Sequence, residues 1–128
     1  MRIVDANVVL RYLLEDDENL AAQAAKIIDA GIFELPIEVL CEIVFVLEKV
    51  YKAARLDIAN QLSDFINNED INIPHRKAVL SGLIHYSSGK LDFVDCLLAG
   101  YAGEENAEIC SFDKALRKFI DSHIAPQG

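Results

Sequence analysis

The chain has 128 residues, of which 52% are hydrophobic and 26% are charged, and its formal net charge is −9. This composition excludes an intrinsically disordered chain and suits one domain around one core, so we predict a single domain over residues 1–128. The acidic balance excludes a basic coat protein for nucleic acids. A polyanionic ligand would therefore have to meet a local basic patch or a bound metal ion.

Nothing in the sequence indicates export or membrane insertion. The segment from Met1 to Asp5 is not followed by the apolar core of a signal peptide, and no apolar run approaches the roughly 18 residues of a membrane span. We interpret the cysteines, which lie in apolar surroundings without CxxC spacing, as buried thiols in a reducing compartment. They are Cys41, Cys96 and Cys110. We therefore expect a cytoplasmic protein that has no membrane partner.

Short strands alternate with helices in the first half of the chain. Gly31 is a natural residue after a helix C-terminus, and Pro36 ends a strand and suits the start of the strongest helix. The helix before Gly31 would be capped by Glu18 or Asn19. In chain order we predict a strand at 2–5, a helix over 7–14, a helix over 20–30, a strand at 32–35 and a helix over 37–51.

The second half continues this alternation, with Asp92 and Asp113 at expected N-cap positions. We predict a helix over 56–68, a strand at 71–74, a helix that contains 79–84, a helix over 93–103, a strand at 107–110, a helix over 114–122 and a weakly supported strand near 123–125. The pattern predicts an α/β fold of three layers, in which a short parallel sheet lies between helices. The large helical share leaves an all-α fold open as an alternative.

Five acidic residues stand beside apolar segments, where burying an unpaired charge would be costly. Asp5 and Asp113 have an ordinary explanation as N-caps, and Asp92 followed by Asp95 is a common helix-start pattern. Glu42 lies in the middle of its helix and cannot cap it. It is either a surface residue at the edge of the apolar face or a functional one. Taken singly, none of these residues demands chemistry.

Taken together, the acids indicate a metal site. Ligands of an open parallel sheet bind beyond the carboxyl ends of its strands, and Asp5 and Asp113 both follow predicted strands. Carboxylates gathered in one pocket repel one another, and a divalent cation removes that cost. Oxygen ligands without His or Cys suit Mg²⁺ or Mn²⁺ rather than zinc, and such sites activate water for attack on a phosphodiester.

Four segments that contain these acids follow one another along nearly the whole chain. They are 3–13, 35–47, 91–99 and 110–116. Each motif alone is weak, but in this order the set resembles PIN-domain ribonucleases, and more closely the toxins of VapBC-type toxin–antitoxin pairs. The resemblance implies a PIN-like fold and metal-dependent cleavage of RNA. No acid of the family pattern is missing, which favours an active enzyme.

The resemblance also implies a role for particular residues. The residues that match the family's acidic positions, and that would hold Mg²⁺ or Mn²⁺ and orient the attacking water, are Asp5, Glu42, Asp95 and Asp113. Asp95 is preferred to Asp92 because the family spacing Asp-x-x-x-Ala runs from Asp95 to Ala99. Asp92 would then support the ligands from outside or cap its helix. Asn7 and Ser111 match polar positions that would orient carboxylates or waters.

Contacts to RNA and to partners are also implied. Basic residues near the motifs could meet phosphate or could be ordinary surface cations, and they are Arg11, Lys90, Lys114 and Arg117. Because basic residues are few, we expect weak, salt-dependent RNA binding. Tyr12, Phe93 and Phe112 are predicted to be core or pocket wall rather than platforms for bases. The resemblance implies a homodimer and a small antitoxin whose C-terminal segment covers the acidic groove, often with a basic side chain.

Two other functions compete with this one. A phosphoacceptor signalling domain also combines an α/β alternation with a Mg²⁺ pocket of aspartates, but it would need paired acids after the first strand, where this chain has Asp5 alone. It would also leave Glu42 without a role. A PIN-fold module that binds RNA or acts as a scaffold without turnover is the second alternative. EDTA would abolish cleavage by the enzyme and leave RNA binding by such a module largely intact.

Overall fold

The computed structural model describes residues 1–124, which form helices and a two-stranded sheet in two compact units. Unit 1 contains residues 1–54 and 61–74, and unit 2 contains residues 55–60 and 75–124. The elements are α1 (Ala6–Leu14), α2 (Glu18–Asp29), β1 (Phe33–Glu34), α3 (Ile37–Lys49), α4 (Arg55–Asn68), β2 (Ile71–Asn72), α5 (Arg76–Ser88), α6 (Phe93–Glu105) and α7 (Lys114–His123).

The sheet belongs to unit 1 and is parallel. Phe33 of β1 stands opposite Ile71 of β2, and both side chains are buried. The predicted strand at 2–5 is reduced to one parallel bridge between Ile3 and Glu34. The segment does not continue as a strand because Asp5 already caps α1. Ile3 itself is 56% exposed. The parallel sheet and the α/β class are confirmed, and the all-α alternative is wrong.

The helices of unit 1 begin close to their predicted positions. Helix α1 packs against both α2 and α3, and α3 buries the apolar face predicted for it. The N-cap of α2 is Asp17, whose Oδ1 accepts a hydrogen bond from Leu20 N at 3.0 Å, so the prediction of Glu18 or Asn19 is wrong. The short aspartate side chain folds back onto its own helix, which therefore starts two residues earlier than predicted.

Helices α5 and α6 form the tightest packing in unit 2. A Cβ on Gly100 of α6 would collide with the carbonyl oxygen of Ala78 in α5. A Cβ on Gly82 of α5 would lie 3.2 Å from the carbonyl oxygen of Cys96. The two backbones approach this closely because glycine stands at the crossing on both helices. Helix α7 packs on α6 and buries Leu116.

One predicted strand of the second half is not found, and another falls partly outside the described residues. Residues 107–110 have no strand conformation, because Asn106 ends α6 in the left-handed region and the amide of Ala107 donates to Tyr101 O. For the strand near 123–125, His123 is the last residue of α7, and residue 125 lies outside the described residues. Within residues 1–124, every helix is too short or too polar to cross a membrane.

Candidate active site

Unit 1 contains two of the predicted metal ligands, Asp5 and Glu42. Asp5 is the N-cap of α1, and its Oδ1 accepts a hydrogen bond from Val8 N at 3.2 Å. The predicted cap is therefore present, and it engages one carboxylate oxygen. Both Asp5 and Asn7, which lies in the first turn of α1, are exposed.

Glu42 lies in the middle of α3, on its exposed side. Its neighbour Ile43 is fully buried, so Glu42 stands at the border of the apolar face, as its position in the sequence indicates. Since α3 packs against α1, the helix that carries Glu42 is held against the helix that Asp5 caps. Glu42 therefore does not belong to the core, and it is accessible from solvent.

Unit 2 contains Asp92, Asp95 and Asp113. Asp92 caps α6 with its Oδ1, which accepts from the amide of Asp95 at 2.9 Å. Asp95 follows in the first turn of α6 and is half-buried. Asp113 caps α7 in the same way, accepting from Leu116 N at 3.0 Å. The Oγ of Ser111 accepts from the amide of Asp113 at 3.0 Å, so Ser111 holds the backbone of this acid.

The carboxylates of unit 2 affect one another electrostatically. Partial burial raises the pKa of Asp95, and the charges of Asp92 and Asp113 raise it further. Desolvation and like charges both disfavour an ionised carboxylate. This turn of α6 therefore carries an electrostatic cost in the metal-free protein. A bound cation would remove that cost.

The donor set fits a hard divalent cation, because the predicted ligands are all carboxylates. Asp5 and Glu42 belong to unit 1, whereas Asp95 and Asp113 belong to unit 2. Within each unit, the residues described up to position 124 contain no group of three or more His, Cys, Asp or Glu that could hold a metal ion. The type of donor thus agrees with Mg²⁺ or Mn²⁺.

The residues proposed to meet RNA differ in their surroundings. Lys90, Lys114 and Arg117 are exposed, as a contact to phosphate requires. Arg11 is partly buried and forms an ion pair with Asp16, with 3.1 Å between Nη1 and Oδ1. That ion pair makes Arg11 the weakest candidate of the four for a phosphate contact.

Tyr12, Phe93 and Phe112 were predicted to belong to the core or to a pocket wall, and they do so in different ways. Tyr12 packs on Phe65 at 5.7 Å between ring centroids and lines a cavity of about 250 Å³, and Phe93 is buried. The Tyr12 hydroxyl donates to Glu69, which, together with burial, raises the pKa of Tyr12 to about 12. Phe112 is not a core residue, because its side chain is fully exposed at 101%, and only the pocket-wall part of its prediction agrees with the structure. It borders a cavity of about 400 Å³ formed by residues 108–112.

The cysteines were predicted to be buried, and only Cys96 is fully so. Burial raises the pKa of the Cys96 thiol to about 11, so this thiol is unreactive at neutral pH. Cys41 is partly buried, and burial raises the pKa of its thiol as well. Cys110 is exposed, so its prediction is wrong. The reason is that residues 107–110 form no strand on which Cys110 could face a core.

Sequence reasoning missed Arg55, whose side chain holds the loop before Asp92. Its Nη1 donates to Leu91 O at 2.6 Å. A signal was available, since Arg55 occupies the first position of α4, where the positive end of the helix dipole disfavours a cation.

Comparison with known proteins gives two findings. The PIN domain matches residues 2–121 of this chain. A protein of Aquifex aeolicus (strain VF5) named VapC ribonuclease is 26% identical over 137 aligned positions, which cover 98% of this chain and 97% of the relative. No solved structure matches this chain.

Proposed function

The chain belongs to the PIN-domain family, and on this premise we propose that it is a Mg²⁺- or Mn²⁺-dependent endoribonuclease acting as the toxin of a VapBC-type pair. The similarity to the VapC ribonuclease of Aquifex aeolicus supports cleavage of RNA. The observation that carries the proposal is the state of Asp95. It is held half-buried beside two other carboxylates, although this arrangement disfavours its charged form.

We propose that Asp5, Glu42, Asp95 and Asp113 would hold the metal ion. When bound, the ion would polarise a water molecule and balance the charge of the phosphodiester. The chain's own part is to hold these oxygens on rigid helices. Caps fix the first turns of α1, α6 and α7, and the Ser111 hydroxyl fixes the amide of Asp113. Exposed Lys90, Lys114 and Arg117 would bind the RNA backbone.

The remaining parts of the proposal concern organisation and partners. We propose that residues 1–128 act as one PIN-like domain in the cytoplasm and form a homodimer. The net charge of −9 supports a basic antitoxin segment as partner, because opposite charges speed association and favour the correct partner. Asn7 and Asp92 would orient the metal ligands or their waters from outside.

The test is cleavage of total RNA with Mn²⁺ by the wild type, Asp5→Asn and Asp95→Asn. We expect both variants to lose at least about 100-fold in rate, since each loses one charge that no other group replaces. Asp17→Asn is the matched control, because Asp17 caps α2 as Asp5 caps α1 and belongs to no predicted site. It should cut RNA at the wild-type rate.

Circular dichroism would establish that all variants are folded, and EDTA would remove the metal ion. If all three aspartate variants cut like the wild type, Asp5 and Asp95 are ordinary helix-start residues and the proposal is wrong. If the wild type binds RNA in EDTA but never cuts it with Mn²⁺, the chain is a PIN-fold RNA-binding module without turnover.

A further inference from the structure

The guanidinium of Arg55 lies among backbone carbonyls of unit 2. Its Nη1 donates to Leu91 O at 2.6 Å and to Gly89 O at 3.3 Å, and Nη2 donates to Lys90 O at 3.4 Å. Nη1 also lies 3.5 Å from Tyr86 O in the last turn of α5. Three consecutive carbonyls of the loop between α5 and α6 thus converge on one side chain.

This side chain also stacks on an aromatic ring. The Arg55 Cζ lies 4.4 Å from the centroid of the Tyr86 ring, at cation–π distance. Tyr86 is fully buried and meets the ring of Phe93 edge-on, at 5.7 Å between centroids. Phe93 is the first residue of α6. Arg55 is therefore connected to the start of α6 by the packed rings of Tyr86 and Phe93 as well as by its hydrogen bonds to the backbone.

The backbone hydrogen bonds of Arg55 lie next to the acidic residues Asp92 and Asp95. The Leu91 carbonyl that accepts the shortest Arg55 hydrogen bond belongs to the peptide that joins Leu91 to Asp92, so the hydrogen bond fixes that peptide plane. The thiol of Cys96 donates to the same carbonyl at 3.6 Å. Asp92 then caps α6 by accepting from the amide of Asp95. Rotation of the Leu91–Asp92 peptide would move the cap and the first turn that carries Asp95.

We infer that Arg55 is a positioning residue that fixes the direction of the Asp92 and Asp95 carboxylates, an inference that rests on the proposed function. Arginine suits this role because its planar fork donates in several fixed directions at once, which the single ammonium of lysine cannot do. The carbonyl contacts also offset the unfavourable position of a cation at the start of α4.

A second arginine provides a matched control. Arg2 of unit 1 holds the end of α2 in the same manner, with Nη2 donating to Ile27 O at 2.7 Å and to Gly31 O at 3.2 Å. Its carbonyl partners lie at the C-terminus of α2, where none of the predicted site residues is found. Arg2→Gln thus removes the same kind of contact without touching the loop before Asp92.

The experiment compares the wild type, Arg55→Gln, Arg55→Lys and Arg2→Gln in two measurements. The first is hydrogen exchange of residues 91–97 in the metal-free protein. The second is Mn²⁺ affinity, measured from the EPR signal of free Mn²⁺. For Arg55→Gln we expect about tenfold faster exchange in this segment and about tenfold weaker Mn²⁺ binding, which is the usual effect of losing a group that orients metal ligands. For Arg55→Lys, the exchange rate and the Mn²⁺ affinity should fall between those of the wild type and those of Arg55→Gln. Arg2→Gln should leave exchange of 91–97 unchanged.

Each outcome decides one point. Unchanged exchange of 91–97 in Arg55→Gln overturns the inference, and so does faster exchange with unchanged Mn²⁺ affinity, because Arg55 would then hold the loop without affecting the ligands. The wild type could neither bind Mn²⁺ nor cut RNA while hydrogen exchange of 91–97 is still faster in Arg55→Gln. In that case the proposed function is wrong, but Arg55 still stabilises the start of α6. If Arg55→Gln does not fold, Arg55→Lys is judged by the same two measurements below its melting temperature.

Discussion

The two ends of α6 have opposite properties. In its C-terminal half, Ala99, Gly100 and Ala102 are buried, and Gly100 allows the backbone to touch α5. In its first turn, Asp95 is half-buried next to other carboxylates, and its pKa is raised by burial and by their charges. One end is packed for stability, whereas the other keeps an arrangement that costs stability in the absence of a cation.

This difference separates the part of the helix that supports folding from the part for which a function is proposed. An aspartate that served only as a helix-start residue would be as useful when fully exposed, without the cost of desolvation. Asp95 instead stands on a helix whose other end is held rigidly, which is the support that its proposed role as a metal ligand would require. Substitutions at the packed end should therefore affect folding most, and those at the acidic end should affect function most.

The largest effect on stability is expected for Gly100→Ala. The new Cβ would collide with the backbone oxygen of Ala78, which cannot turn aside as a side chain can. We expect a loss of about 2–3 kcal/mol in the free energy of unfolding, measured by urea denaturation, since overpacking outweighs the gain in helix propensity.

Gly103→Ala on the same helix is the control for Gly100→Ala. A Cβ at this position would lie 3.5 Å from the Ile124 side chain, an ordinary contact. The free energy of unfolding of this variant should equal that of the wild type or exceed it by up to about 1 kcal/mol. Equal losses in the two variants would show that the crossing of α5 and α6 is looser than described.

A smaller effect is expected for Asp92→Ala, which removes the N-cap of α6. The amide of Asp95 loses its acceptor, so we expect a loss of about 1 kcal/mol in urea denaturation. Asp92→Asn removes the same charge but keeps a capping oxygen, and it should stay within a few tenths of a kcal/mol of the wild type. If both variants lose the same amount, the charge of Asp92 matters and the cap does not.

The smallest effect is expected for Asp95→Asn in the metal-free protein. Because the pKa of Asp95 is raised, the folded state binds this proton more tightly than the unfolded chain does. Stability is then lost as pH rises from the unfolded pKa, near 4, through the folded pKa, and the loss persists at neutral pH. Since solvent screens a half-exposed carboxylate, we expect a gain of about 0.5 kcal/mol or less at pH 7.

Thermal melting with EDTA between pH 3 and pH 7 would measure this gain. The difference between Asp95→Asn and the wild type should vanish toward about pH 3, where both forms are uncharged at this position. A destabilised Asp95→Asn at pH 7 would mean that the ionised carboxylate supports the fold, contrary to the comparison of the two ends of α6.

Helix positions were the most predictable part of the fold. Apolar periodicity and N-caps depend on residues that are close in sequence. The helices and the caps Asp92 and Asp113 can therefore be predicted without tertiary information. The strands were less predictable, because a strand exists only through its partner. The segment 107–110 has strand composition but no strand, and the amide of Ala107 is used in ending α6.

The identities of the site acids are likewise a property of the sequence, but their environments are not. Order and spacing single out Asp5, Glu42, Asp95 and Asp113, whose place in a metal site remains a prediction. Asp92 is near Asp95 because it caps the same helix, but only the tertiary structure buries Asp95 and brings Asp113 near enough to raise its pKa further. It also exposes Phe112 and Cys110, because the loop that carries them is not covered as a strand would be.

By itself, the sequence determined the residue types, the local helix signals and the order of motifs that the PIN-domain family shares. These depend on neighbours within a few positions or on order alone. The tertiary structure decided which backbones touch at Gly82 and Gly100, which thiols are buried, and that Arg55 holds the loop before Asp92 from 36 residues away in sequence. Such contacts join distant parts of the chain, and their energies depend on distances that no local pattern encodes.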